Sequence, residues 1–301
     1  MTDPTFDAPG EYKLPHVTLK KTSGPALTAE QIGPLDAVLL SHDQHADNFD
    51  RSGKAYAMRA PRLFTTLAGA QRLGGHAEGL APFQSKELTK PDGTALRITA
   101  TPARHGPAGI EPLSGDVIGF MLSFADDTPR IYITGDTVWY HGVAEVARRF
   151  GADVVLLFAG SARTRGPFNL TMNTNDAIET AHAFPDAIIV PVHYEGWAHF
   201  TQSGEDLVEA FTALGLGGRL KLLESSFPSQ SHYAHWCLFC ASTSIPAAFL
   251  HPHAGRRNRN YSVTSRGARS RCQRGDHRHA RSLTRPMPRI STPTASSTAP
   301  T

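Results

Sequence analysis

The chain has 301 residues, 40% of them hydrophobic, enough for a packed core in one large domain or two small ones. Its formal charge of +3 is unevenly held: residues 226–301 carry eleven Arg, no Lys and one acid, Asp276, which leaves residues 1–225 net acidic and a poor candidate for nucleic acid. All three cysteines (Cys237, Cys240, Cys272) lie in that tail and residues 1–7 lack the apolar stretch of a secretory signal, so the expectation is a cytoplasmic protein with no disulfide framework and no membrane span.

Residues 1–34 are rich in Pro and Gly, with one alternating stretch at 16–20. Residues 36–42 form an apolar run ending in Ser41-His42, the pattern of a buried strand. Residues 64–73 read as a helix stopped by Gly74-Gly75. Residues 96–102 alternate with period two, a half-buried strand leading into His105. Two further strands are predicted at 117–124 and 130–134, joined by a hairpin-like loop at 125–129, and the second ends at Gly135-Asp136-Thr137. Then come a helix at 143–150, a buried strand at 154–158, and a helix at 175–183 capped by Asn173 or Thr174. A strand at 187–192 runs into His193, a helix spans 205–214, Gly215–Gly218 stop it, and 220–223 is a last short strand. Strands alternating with helices in the second half and a strand-rich first half predict a layered α/β domain.

Four of these strands end in residues that bind divalent metal: the cluster from Ser41 to Asp47, then His105, Asp136 and His193. Imidazole nitrogen and carboxylate oxygen suit zinc, and strand ends hold ligands more rigidly than long loops do. One histidine after a strand means little; four such endings in one chain point to a shared ion. A bound ion lowers the pKa of water to ~7 and supplies hydroxide near neutral pH. No Gly-x-Ser-x-Gly elbow and no cysteine in the body compete for the role of nucleophile.

The order His/Asp cluster, His, Gly-Asp-Thr, His resembles the metallo-β-lactamase superfamily, and more closely its branch similar to the L-ascorbate phosphate lactonases. The matching segments are Thr2-Asp3-Pro4, Leu39 to Asp43, Thr101 to Gly106, Thr134 to Thr137 and Pro191 to Trp197. The resemblance covers residues 1–225 and implies an αββα four-layer sandwich. It also implies a hydrolase that directs metal-bound hydroxide at an ester, lactone, amide or phosphodiester. Carried over by position, His42 and His105 help bind one ion, Asp47 and His193 a second, and Asp136 bridges them, with His45 a further candidate. Asp47 and Asp136 are the catalytic candidates. The cofactor is one or two Zn2+, with Mn2+ or Fe2+ as substitutes, and the substrate is a small molecule with scope for an anionic one.

The cluster departs from the family's His-x-His-x-Asp-His. Gln44 stands where a second His is expected and Asn48 where the last is expected, with one extra residue before Asp47; an alternative register sets Asp43, His45, Asp47 and Asn48 on the four positions. These departures predict one weak or empty ion position, and the contrasting reading is a non-catalytic remnant. His141 and His199 read as surface histidines, Asp43 and Asp50 as caps or solvated groups, and Arg104 as an exposed Arg. Relatives begin with a hairpin ahead of the Thr-Asp-Pro segment, so the first strands are expected to be missing. Residues 226–301, rich in Arg, Ser and Pro, are expected to be a mostly disordered tail. Its Arg without Lys is consistent with a shifted reading frame, and His232, His235, Cys237 and Cys240 are too crowded for a zinc knuckle.

Overall fold

The computed structural model describes residues 1–14, 17–89, 93–124 and 129–223. The loop at 125–129 falls, but for its last residue, outside the described residues, and so do the tail and its His/Cys cluster.

Alternation of side chains along the central strands builds the molecule. A six-stranded sheet holds β6 (Ser85–Thr89), β7 (Ala95–Pro102), β8 (Ile118–Phe124), β9 (Ile131–Ile133), β10 (Val154–Phe158) and β11 (Ile188–Val192), in the order β11-β10-β9-β8-β7-β6. Pairing is antiparallel from β6 to β9 and parallel from β9 to β11. Met121, Tyr132, Val155, Leu157 and Ile189 point to one face and pack against Val143 and Val146 of α5 (His141–Phe150), Ala177 and Ala181 of α6 (Thr174–Ala183), and Phe211 of α7 (Gly204–Ala213). Their neighbours Phe120, Ile133, Leu156, Phe158 and Val190 point the other way.

That second face meets a three-stranded parallel sheet of β3 (Val38–Leu39), β4 (Leu63–Thr66) and β5 (Ala77–Leu80) through Leu39, Phe64 and Leu80. The outer side of this small sheet, Val38, Leu40 and Leu63, packs on Phe49 and on Ala57 of α2 (Arg51–Ala57). The sequence of layers is helix, sheet, sheet, helix, as the family resemblance implies. Each fully buried Leu, Val or Phe adds roughly 1.5–3 kcal/mol. A hairpin of β1 (Gly10–Lys13) and β2 (Thr18–Lys21) precedes the sandwich, and Thr2 bridges Leu39 in parallel, adding backbone bonds to β3. Short helices α1 (Ala29–Ile32), α3 (Leu67–Leu73) and α4 (Glu111–Ser114) fill the connections. No helix among the described residues is long and apolar enough to cross a membrane.

Two predicted elements need correction. The helix expected at 64–73 is a strand and a helix: Leu63–Thr66 is β4, and only Leu67–Leu73 coils. A strand buried on both faces shows no alternation, so periodicity cannot separate it from the helix behind it. Thr66, with extended backbone, caps that helix by accepting from Gly69 N. The strand expected at 220–223 is one bridge, Leu220 to Ile189, behind a 3-10 turn at Gly217–Arg219. Asn173 is the cap of α6 and Asp50 the cap of α2.

Candidate metal centre

Each site residue sits just beyond a strand of the two facing sheets. His42 follows β3, and a tight turn (Asn48 N and Phe49 N both donate to His45 O) carries His45 and Asp47 before Asp50 starts α2. His105 follows β7, Asp136 follows β9, and His193 follows β11. The backbone is bent to place two of them. His193 has φ +56°, a left-handed conformation that costs a residue with a Cβ roughly 1–2 kcal/mol. Gly135, at φ +62°, turns the chain ahead of Asp136, where a Cβ would lie 2.6 Å from Ile118 O and 3.0 Å from Ser41 Cβ. Gly135→Ala is therefore expected to lower stability by about 2 kcal/mol or more, read as a shift in urea midpoint. An unchanged midpoint would show that this turn has room to spare.

The side chains fall into two groups whose donor atoms lie within 4.8 Å of one another: His42, His45, His105 and Asp136, and Asp47, Asp136 and His193. In the first, His45 Nδ1 lies 2.9 Å from His42 Nε2 and 3.1 Å from His105 Nε2. Asp136 Oδ2 is 3.5 Å from His105 Nε2 and 3.9 Å from His42 Nε2. In the second, His193 Nε2 is 3.4 Å from Asp136 Oδ1 and 3.7 Å from Asp47 Oδ2. Asp136 thus turns one oxygen to each group.

These separations fit a cation. Ligand atoms ~2.0–2.1 Å from a tetrahedral ion stand ~3.3 Å apart. Asp136 Oδ1 and Oδ2, Asp47 Oδ1 and His193 Nε2 are buried without a hydrogen-bond partner, which is costly unless something charged joins them. The imidazoles also present bare nitrogens. His105 Nδ1 is 2.8 Å from Leu170 O, which can only accept, so the proton is on Nδ1 and Nε2 faces the site as a lone pair. Ser41 Oγ donates to Asp3 Oδ1 and so accepts from His42 Nδ1, with the same result for His42 Nε2.

Electrostatics agree. Burial, reinforced by the neighbouring imidazoles His45 and His105, pushes His42 well below the ordinary histidine range. Burial likewise lowers His45, His105 and His193, keeping them in the neutral form that binds metal. Asp136 is pushed up by burial against the pull of His105. For Asp47 burial acts upward too, but the hydrogen bond from His199 and the pull of the neighbouring His193 and His199 rings prevail and hold it low.

All six predicted residues are therefore brought together. Gln44 is not among them: its Oε1 accepts from Asp43 N, and its side chain lines a cavity of 300 Å³ with Leu14, Val17, His45, Leu113 and Arg165. The extra residue before Asp47 lets His45 take the place that the spacing assigns to Gln44. Asn48 is fully buried with both amide atoms unpaired. The surface reading of His199 is corrected: its side chain is 9% exposed and its Nε2 lies 2.9 Å from Asp47 Oδ2. The available signal was its setting, since a surface histidine has no reason to sit between Trp197 and Phe200. The exposed reading of Arg104 is corrected: it is half-buried, stacked 4.4 Å over Tyr140 and bonded to Gly106 O. Trp197 packs in a core with Tyr12 and Leu19. His141 is exposed, as expected, and Asp43 pairs with Arg72.

A profile of the beta-lactamase superfamily domain matches residues 1–194. The UPF0173 protein YddR of Bacillus subtilis is 27% identical over 218 residues, covering 69% of this chain and 83% of that protein. A UPF0173 metal-dependent hydrolase of Pelotomaculum thermopropionicum is 27% identical over 190 residues, covering 59% of this chain and 75% of the relative. Among solved structures, an isothiocyanate hydrolase from Delia radicum gut bacteria superposes with a TM-score of 0.63 at 24% identity, over 75% of this chain and 90% of that one. A possible metal-dependent hydrolase from Veillonella parvula gives 0.58 at 20% identity, over 73% and 95%. At such identities the two structures speak for the fold alone.

Proposed function

The chain belongs to the beta-lactamase superfamily domain family, and from that premise we propose that it is a metal-dependent hydrolase of small molecules working at the cluster around Asp136. The observation that carries this reading is the Asp136 carboxylate, fully buried, with both oxygens unpaired and one turned to each group of donors. His42, His45 and His105 would hold one ion, Asp47 and His193 a second, and Asp136 both. Zinc suits this donor set, and Mn2+ or Fe2+ would also be accepted. A divalent cation there would lower the pKa of water and polarise a carbonyl or phosphoryl oxygen.

The chain's own groups do the rest. Asp47 Oδ1, buried and unpaired, is placed to take a proton from the attacking water or return one to the leaving group. Leu170 O and Ser41 Oγ fix the rings of His105 and His42 so that neither drifts out of reach. The cavity beside His45 would take the part of the substrate that does not react. Its walls are apolar apart from Gln44, His45, Ser114 and Arg165, and Arg165 suits an anionic group on an ester, lactone, amide or phosphodiester. We place the activity in residues 1–225, because every residue of the cluster and the cavity lies before position 200.

Metal analysis of the purified protein tests the reading. At least one equivalent of zinc per chain is expected, with a large loss in His105→Ala. Less than about 0.1 equivalent in the unaltered protein would favour the non-catalytic remnant that Asn48 suggests. A panel of p-nitrophenyl esters, lactones, anilides, bis-p-nitrophenyl phosphate and an aryl isothiocyanate then separates the substrate classes. A Lys or Gln exchange at Arg165 should alter KM for anionic members alone.

A further inference from the structure

Among the described residues every arginine but one bonds an acceptor or covers an aromatic ring. Arg165 does neither; it is half-buried and faces the 300 Å³ cavity beside His45, which no acid lines. The loop that carries it is closed at its neck, where Ala162 O accepts from Leu170 N and Met172 O accepts from Ser161 N. Asn169 Oδ1 ties the same loop inside by accepting from Ser161 Oγ and Arg163 Nε. Leu170 O holds His105, so the loop is anchored to the ion donors. We propose that the substrate carries one carboxylate directly beside the bond that is cleaved, gripped by Arg165, and an apolar body lying along Leu14, Val17 and Leu113. This rests on the metal-centre reading above and names a substrate class for it. A lone guanidinium matches a single carboxylate in charge and in its two-pronged geometry. Gln44 adds a donor, since its Nε2 has no acceptor among the described residues and stands against Gly115, where a Cβ would strike it. Closeness to the cleaved bond follows from His45, which belongs to the first group of ion donors and also lines the cavity. Burial lowers His45 first, and of the neighbours that lower it further Arg165 acts most strongly, ahead of His199 and His193. Leu14 and Leu113, 38% and 58% exposed, meet Val17 at this one opening, so they form an apolar patch and are not scattered single residues.

Hippurate (N-benzoylglycine), with a carboxylate one carbon from its amide and a phenyl body, serves as the probe. Calorimetric titration into the zinc-supplemented full chain reads its binding without requiring turnover. The expected Kd is about tenfold to a hundredfold below that of the neutral hippuramide, with the difference lost in Arg165→Gln. Zinc content should not change in that variant, because Arg165 is not one of the donors. N-acetylglycine, which lacks the ring, should bind at least about tenfold more weakly than hippurate. The longer 6-benzamidohexanoate, whose carboxylate stands far from its amide, should gain nothing over its own neutral amide. Equal affinities for hippurate and hippuramide, or no binding of hippurate at millimolar concentrations, would overturn the inference. A preference for the acid that survives in Arg165→Gln would overturn it as well, by sending the carboxylate to the ions. The long acid binding as tightly as hippurate would refute the position beside the cleaved bond, and N-acetylglycine doing so would refute the apolar body. Hippurate bound through Arg165 in a chain that takes up no zinc would remove the metal centre and keep the anion site.

Discussion

Asp136→Asn is expected to empty both ion positions and to lower kcat/KM by at least about a thousandfold while leaving the fold intact. The side chain keeps its shape and loses its charge. Each of its two oxygens faces a different group of donors, so one exchange acts on both. The same exchange should make the metal-free protein more stable. Burial pushes the Asp136 carboxyl up, which means that its ionised form is disfavoured in the fold when no ion is present. Because the folded value lies above the unfolded value of 3.8, the penalty is absent below that pH and grows as pH rises through the folded value. In chelator at neutral pH the variant should therefore unfold about 1–3 kcal/mol later than the unaltered chain, and at pH 3 the two should coincide. Calorimetry at both pH values checks this. Unchanged zinc content and turnover in Asp136→Asn would remove the site from Asp136 altogether.

The second large effect concerns stability alone. Asp50 is completely buried and accepts from four donors: Phe6 N, Asp7 N, Gly53 N and Lys21 Nζ at 2.9 Å. It caps α2, ties the N-terminal segment to that helix and neutralises Lys21, whose side chain is 4% exposed. Asp50→Ala would leave a buried ammonium with no counter-charge and three backbone N–H groups with no acceptor. The expected cost is about 3–5 kcal/mol in urea unfolding. Lys21→Met should cost less, because the carboxylate it leaves still accepts three backbone hydrogen bonds. Lys21→Met combined with Asp50→Asn should recover part of the loss. A change below about 0.5 kcal/mol in Asp50→Ala would mean that water replaces these contacts at little cost.

Most of the central sheet was legible in the sequence because its strands are punctuated. Residues 96–102 alternate, 154–158 are uniformly apolar, and both end at residues that cannot continue a strand core. Strand β4 was not legible as such, since burial on both faces erases the alternation that would have distinguished it from α3. The six donors were legible because they fall at the ends of four strand-like runs, three of them clustered after the first. Their register was less so: a one-residue insertion cannot be resolved by spacing when the turn from His42 to Asn48 is irregular, and only the folded turn shows His45 inside and Gln44 facing the cavity. The tethers from Leu170 O to His105 and from Asp3 through Ser41 to His42 join residues far apart in the chain, and no local pattern encodes them.

The contact between Asp47 and His199 spans 152 positions of the chain. Residues 1–225 contain no cysteine, so no covalent link can close a loop of that length within them. An ion held by Asp47 at one end and by His193 near the other would act as a removable staple: it binds the folded chain and not the unfolded one, and so stabilises the fold by mass action. The resistance of this protein to proteases should then rise and fall with the free concentration of the ion, and starvation for that ion would mark the chain for degradation before it merely idled the catalyst.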